Sequence, residues 1–210
     1  MLNVHTLPRL ILLGASGHGR VIADIAQLMG YTDIVFLDDD PSLTACGGFP
    51  VLGPVDAARD MEGQLFVSIG SAAIRRRLMD AFSDRDFPVL IHPQAAVARS
   101  AALGPGSVVM AGAVLNPGAS MGRGCILNTC ASVDHDCRIG DFVHISVGAH
   151  LCGTVSVGDG AWVAPGAVIR NNTSVCGGCL IGLGAVVIRD IDEPGTYVGV
   201  PARRLRDSDV

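Results

Sequence analysis

His135 stands between two carboxylates in Val133-Asp134-His135-Asp136, an arrangement suited to proton chemistry. A carboxylate beside an imidazole holds one ring nitrogen as N–H and leaves the other able to take a proton near neutral pH. Further polar residues follow the apolar positions in Leu127-Asn128-Thr129 and Ile145-Ser146, and His144 lies nine residues after His135. A second constellation lies near the start of the chain, where Gly14-Ala15-Ser16-Gly17-His18-Gly19 precedes Asp38, Asp39 and Asp40. Glycines let backbone approach a diphosphate, a following helix supplies free N–H groups and a positive dipole end, and the acids suit a ribose or a base. The spacing G-x-x-G-x-G departs from the dinucleotide fingerprint, so a complete NAD site is not expected.

These residues need elements to hold them, and an internal repeat supplies one set. Stepping six residues at a time from Ile91 to Val187 meets only aliphatic residues or Met, seventeen in all, including Leu115, Met121, Leu127, Val133, Ile139, Ile145 and Leu151. Two residues earlier stand small side chains such as Ala113, Cys125, Ala131, Cys137, Ala149 and Cys179. A period of six fits neither an α-helix nor simple strand alternation. It fits hexapeptide units, three to a triangular coil, each large residue stacking on those 18 positions before and after. Glycines just after the stacked position, at Gly104, Gly122, Gly140, Gly158 and Gly182, are expected at corners hostile to side chains. The same arithmetic places Gly153 one coil above His135 and puts His144 on a different edge.

The first ninety or so residues lack this period. Short apolar strands at 10–13, 34–37 and 66–69, with helical stretches near 18–29, 54–61 and 71–83, predict β-α-β-α-β with a parallel sheet. The expected division is a Rossmann-like unit over 1–88 and a left-handed parallel β-helix over 89–210, with the boundary in the region of Pro88–Pro93.

Hydrophobic residues make up 49%, yet no apolar stretch is long enough to span a bilayer, and no signal-peptide pattern opens the sequence, so a cytoplasmic protein is expected. Net charge is −5 and the 15 basic residues, all arginine, form no continuous stripe, which disfavours nucleic acid. Seven cysteines among small and aliphatic residues predict reduced thiols; the repeat explains Cys176 and Cys179 without a metal.

Several motifs together, LLGASGHGRV, FLDDD, SIGSAAIRRRL, LNTCASVDHDCRIGDFVHISVGAHLCG and VGVPARRL, resemble the hexapeptide-repeat acetyltransferases. Within them the likeness is to the NeuD/PglD-like branch of sialic acid O-acetyltransferases and nucleotide-sugar N-acetyltransferases. The resemblance implies a homotrimer using acetyl-CoA as co-substrate and no metal. It implies His135 as general base with Asp136 orienting it, although aspartate is shorter than the glutamate of relatives. It implies His144 near the acetyl group, Asn128 beside the sugar, and Gly153 as an N–H for the tetrahedral oxyanion. Gly14, Gly17, His18, Gly19, Asp38 and Asp39 would hold the nucleotide, while Arg203 and Arg204 would meet phosphates of acetyl-CoA. The leading expectation is N-acetylation of a nucleotide-linked 4-amino-4,6-dideoxy sugar, UDP-linked in preference to GDP-linked. The alternatives are O-acetylation of sialic acid or another sugar hydroxyl, and a non-catalytic ligand-binding trimer.

Overall fold

A computed structural model describes residues 7–206, which divide into two compact units, one ending at Pro93 and one starting at Gln94. The first is built on a three-stranded parallel sheet of order β2-β1-β5. It comprises β1 (Leu10–Leu13), α1 (Gly17–Leu28), β2 (Ile34–Leu37), β3 (Ala45–Cys46), β4 (Phe49–Pro50), β5 (Gln64–Val67) and α2 (Ala72–Ala81). Every residue of β1 and β2 is buried, as continuous apolar runs in a parallel sheet require.

Three details differ from the sequence reading. The third strand is Gln64–Val67, two residues earlier, because the ladder pairs Gln64 with Leu10 and Val67 with Leu13. Ile69 lies beyond it, packed against Gly14 where a Cβ has no room. The stretch near 54–61 is a 3-10 helix, Val55–Asp60, bounded by extended residues at Pro54 and Met61. The hairpin of β3 and β4 was not anticipated; Gly47 and Gly48, at φ 59° and 87°, supply the two positive φ angles that a tight hairpin turn demands.

The second unit is a left-handed, three-sided β-solenoid of about six turns. Each six-residue step contributes a two-residue strand, and strands 18 apart pair in parallel, as Leu115 with Val133 and Val133 with Leu151. Face 1 carries Val114–Leu115, Ser132–Val133, His150–Leu151 and Val168–Ile169 in register. Face 2 carries Ser120–Met121, Arg138–Ile139 and Ser156–Val157, and face 3 carries Ile126–Leu127, His144–Ile145 and Trp162–Val163. The repeating aliphatic positions fill the interior, with Leu115, Leu127, Val133, Ile145, Val163 and Ile181 fully buried. The small second register is buried beside them, including Cys125, Cys137 and Cys179. Val97 and Leu103 are only half-buried, since their strands start the stack and pair on one side.

The corner glycines need a correction. Left-handed backbone recurs three residues after the stacked positions from Leu103 to Ile181, at Gly106, Gly112, Gly118, Gly124, Gly148 and Gly160 among others. The glycines directly after the stacked residue are absent from that set. They are small because the adjoining coil is close: a Cβ on Gly104 would sit 2.5 Å from Arg123 N, and one on Gly182 would sit 2.7 Å from Val198 Cγ1. Where glycine is missing from the left-handed position, Cys130, Asp136, Phe142, Thr154 and Asn172 adopt it instead. Asn and Asp tolerate that region comparatively well, but Phe and Thr do not, and each such residue stores local strain.

Interior stacking should dominate the stability of this unit. Ile145→Ala, which empties a fully buried site, should cost about 2–5 kcal/mol in urea unfolding. Arg138→Ala, on the exposed side of face 2, should stay within about 0.5 kcal/mol.

Candidate active site

The corner between faces 1 and 2 is where His135 stands. Val133 is pinned inside, so Asp134, His135 and Asp136 form the turn that carries the chain to face 2. Asp136 takes the left-handed conformation, at φ 60°, which folds its carboxylate back along the chain. His135 Nδ1–H donates to Asp136 Oδ2 at 2.8 Å. A carboxylate can only accept, so this bond keeps the proton on Nδ1 and leaves a lone pair on Nε2. The shorter acid therefore reaches the ring because of its backbone conformation. Gly118, one coil below, leaves the space: a Cβ there would lie 2.5 Å from Asp136 Oδ1.

Asp134 braces the same turn from its other side. Its Oδ1 accepts the backbone N–H of His135 at 2.7 Å and the Nδ2–H of Asn116 at 2.8 Å. Those two bonds, the backbone one foremost, hold its carboxyl below the usual carboxylate range. The hydrogen bond that the ring donates to Asp136, joined by the charges of both acids, pushes the His135 imidazole up from its ordinary value. Asp136 and the ring are exposed to solvent at this corner and Asp134 is half-buried, so the shift of the ring concerns proton affinity more than folding energy.

Gly153 lies directly above the ring, and a Cβ at that position would fall 2.7 Å from His135 Cε1 and overlap Nε2. The coil ladder passes over the Gly153 N–H: adjacent bonds run from Cys152 N to Ile169 O and from Thr154 N to His135 O. One backbone donor and one imidazole lone pair thus share a small space at a solvent-exposed edge. That pairing can deprotonate a nucleophile and stabilise a developing oxyanion.

Asn128 and His144 meet elsewhere, on face 3 and the corner after it. Asn128 Oδ1 accepts the Thr129 N–H at 2.8 Å, which orients the amide so that Nδ2 donates to His144 Nε2 at 3.0 Å. Trp162, one coil above, stacks on His144 with ring centroids 6.3 Å apart and planes inclined at 17°, while its Nε1–H donates to Ser146 Oγ at 2.7 Å. Within one chain, His135 and His144 are half a coil apart and occupy different edges.

In the first unit, Gly14 at φ 109° turns the chain from β1 towards α1. Gly19 brings helix and strand together: a Cβ would lie 2.5 Å from Gly14 O and 2.9 Å from Phe36 Cε1. A Cβ on Gly17 would meet nothing within 4 Å, and the first turn of α1 has no side-chain cap and no acid. The Ser16 side chain thus leaves the first-turn N–H groups uncapped, as an anion site requires. Asp38 accepts Ala15 N–H at 2.7 Å and Asp40 N–H at 3.0 Å, and Asp39 accepts Val55 N–H at 2.9 Å. All three acids border a cavity of about 430 Å³ together with Leu43, Thr44 and Gly53.

His18 Nε2 is buried and finds no hydrogen-bond partner among the described residues. Burial, and secondarily the charge of Arg75, lowers its pKa to about 4, so the ring is neutral at physiological pH. Arg75, 1% exposed on α2, donates through Nη1 to Gly70 O at 2.6 Å and Ile69 O at 3.1 Å. At the end of the chain Arg203 and Arg204 lie on exposed strand Arg203–Arg204. Arg204 pairs with Glu193 and donates to Pro194 O at 3.0 Å, while Arg203 Nη1 donates to Ala202 O at 2.8 Å. Arg204 is thus engaged in closing the end of the solenoid.

The sequence reading missed Asn116, Gly118 and Trp162, although the 18-residue step that flagged Gly153 leads from Asp134, Asp136 and His144 to each of them. Arg75 carried no comparable signal, because its partners are loop carbonyls.

Residues 9–82 match the PglD N-terminal domain model. Over 105 residues the chain is 35% identical to a UDP-N-acetylbacillosamine N-acetyltransferase of Bacillus subtilis, a match spanning 46% of this chain and about half, 49%, of that protein. The acetyltransferase domain of PglB from Neisseria gonorrhoeae, solved with acetyl coenzyme A, is 41% identical with a TM-score of 0.91 over 95% of this chain and 100% of that one. PerB from Caulobacter crescentus, solved with CoA and GDP-perosamine, is 33% identical with a TM-score of 0.89 over 94% of this chain and 97% of that one.

Two titrations test this geometry. By NMR, the His135 ring should titrate above 6.5, and Asp136→Asn, which removes the charge that favours the imidazolium, should move the midpoint down. His18 has a folded pKa below its ordinary 6.5, so the unfolded chain binds more protons between the two values. The stability it contributes is present above 6.5 and is lost as pH falls towards 4; His18→Gln should flatten that part of a urea pH–stability curve.

Proposed function

Because the chain belongs to the NeuD/PglD-like branch of hexapeptide-repeat sugar acetyltransferases, we propose that it transfers the acetyl group of acetyl-CoA to the amine of a nucleotide-linked sugar. The acceptor is a 4-amino-4,6-dideoxy sugar, UDP-linked in preference to GDP-linked. The observation that carries the reading is the corner where His135 Nε2 faces Gly153 while Asp136 holds Nδ1. Similarity to proteins named for sugar N-acetylation, and solved with acetyl coenzyme A or with CoA and GDP-perosamine, supports the choice of substrates.

In this mechanism the amine attacks the thioester carbonyl as His135 Nε2 removes its proton. The Gly153 N–H receives the oxyanion of the tetrahedral intermediate, which collapses to the amide and expels the CoA thiolate. The imidazolium returns its proton to that sulfur, and the base is regenerated. Asp136 stabilises the imidazolium between the two transfers. The α1 N-terminus, with Gly14, Gly17 and Gly19, is assigned to the diphosphate, and Asp38, Asp39 and the buried nitrogen of His18 to the nucleoside side of the acceptor.

A homotrimer is part of the proposal. The Asn128–His144 pair and His135 occupy different edges of one chain, and a neighbouring copy would bring the first against the second. No helix among the described residues is long and apolar enough to cross a membrane. All seven cysteines are unbridged, which suits the reducing cytoplasm to which we assign the enzyme.

The test is CoA release from acetyl-CoA with a panel of UDP- and GDP-linked amino sugars. Release should depend on a sugar amine, give a base-stable amide by mass spectrometry, and fall about 10²–10⁴-fold in His135→Ala. A base-labile product would move the acceptor to a hydroxyl, and activity unaffected by His135→Ala would remove the base.

A further inference from the structure

The corner between faces 2 and 3 lies on a different edge from His135. Directly after the stacked position it carries Gly104, Gly122, Gly140 and Gly158 in successive coils, and then Cys176. The coil above imposes the glycines: a Cβ on Gly158 would lie 2.4 Å from Gly177 N and 2.9 Å from Cys176 C. Above Cys176 the repeat stops, and Val175 meets Ile191 in a single bridge instead of a residue 18 positions on. Cys179 belongs to the small buried register, in the column of Ser107, Cys125 and Ala161. The winding therefore accounts for Cys179 and permits Cys176 without requiring it.

The two sulfurs lie 3.4 Å apart. Gly177 and Gly178 form the turn between them, Gly178 at φ 71°. Such a turn holds its first and fourth Cα atoms within about 7 Å, the span that a disulfide bridges. The thiols differ in what can reach them. Cys176 is half-buried and open to a small molecule, whereas Cys179 is 1% exposed and donates to Glu193 O at 3.6 Å. Burial, and secondarily the neighbouring Cys176, pushes the Cys179 thiol up to about 11. An accessible thiol beside a buried one has the arrangement of an attacking and a resolving cysteine. Among the described residues no third His, Cys, Asp or Glu completes a group that could hold a metal ion.

We propose that Cys176 and Cys179 are a redox-active dithiol, closed reversibly to a disulfide by a low-molecular-weight disulfide. The Cys176 thiolate attacks one sulfur of the oxidant, forms a mixed disulfide and expels the other half as a thiolate. Cys179 then gives up its proton and attacks Cys176 Sγ, expelling the second half. The two protein protons pass to the two departing thiolates, so the protein pair loses two electrons and the oxidant gains them. A transient bridge of this kind suits the reducing compartment proposed above. It goes beyond acetyl transfer and does not depend on it.

Equilibration of the full chain with mixtures of reduced and oxidised glutathione, followed by alkylation and peptide mass spectrometry, tests the proposal. As the oxidised share rises, the peptide holding both cysteines should pass from doubly alkylated to unalkylated and lighter by two hydrogens, and dithiothreitol should reverse the change. Cys179→Ser, chosen because Ser107 occupies the same column, should trap Cys176 as its mixed disulfide with glutathione. Cys176→Gly, which restores the residue of the lower coils, should leave Cys179 unmodified. Wild-type protein in which both thiols stay alkylatable in excess oxidised glutathione would overturn the proposal. So would a wild-type reaction that stops at the mixed disulfide on Cys176, or a bridge from either cysteine to a third one or to a second chain. The wild-type peptide decides the matter even where a variant unfolds.

Discussion

The return of each aliphatic side chain onto its counterpart 18 residues away constrains everything else in the solenoid. An interior only one side chain wide admits no insertion within a coil, because one extra residue would swing the next strand's apolar position outward and a polar one inward. Stacking of Leu115, Val133 and Leu151 on one face therefore fixes the azimuth of every outward residue between them. Corner residues consequently form columns as regular as the core, and chemistry placed on a corner inherits that precision. The His135 ring is held by a rigid stack, whereas a loop would have to order itself around any ligand.

This regularity explains how small residues shape the site from a distance in sequence. Gly118 makes space for the Asp136 carboxylate, Gly153 for the His135 ring, and Asn116 steadies Asp134. Each contact joins neighbouring coils. The left-handed backbone at Asp136 is the one local irregularity that matters most, since a glycine there would satisfy the corner but remove the acid. Aspartate accepts that conformation at modest cost and gains a hydrogen bond from the His135 ring.

The two units differ in the physics they offer. The parallel sheet of the first offers an uncapped helix start, a close Gly14–Gly19 packing and a row of acids, all suited to a nucleotide. The buried Arg75 guanidinium organises the loop after β5, and burial, aided by the charge of Arg75, keeps His18 neutral. The solenoid offers long straight edges on which corner residues recur at every coil.

The amino-acid sequence by itself determined the solenoid, since a six-residue period of aliphatic side chains has one way to bury them. Strands β1 and β2, the glycine loop and the triad of Asp134, His135 and Asp136 were equally plain in it, being local patterns. It misplaced β5 by two residues, because register is decided by pairing with β1 rather than by the apolar run. It also misread the glycines after each stacked position, whose smallness answers to an adjoining coil rather than to their own φ angles. Only the tertiary structure decided that Asp136 reaches Nδ1, that Gly153 abuts Nε2, and that Asn128 belongs with His144 rather than with His135. Those are contacts between residues brought together by the winding of the chain, and their geometry depends on backbone dihedrals that composition and spacing do not specify.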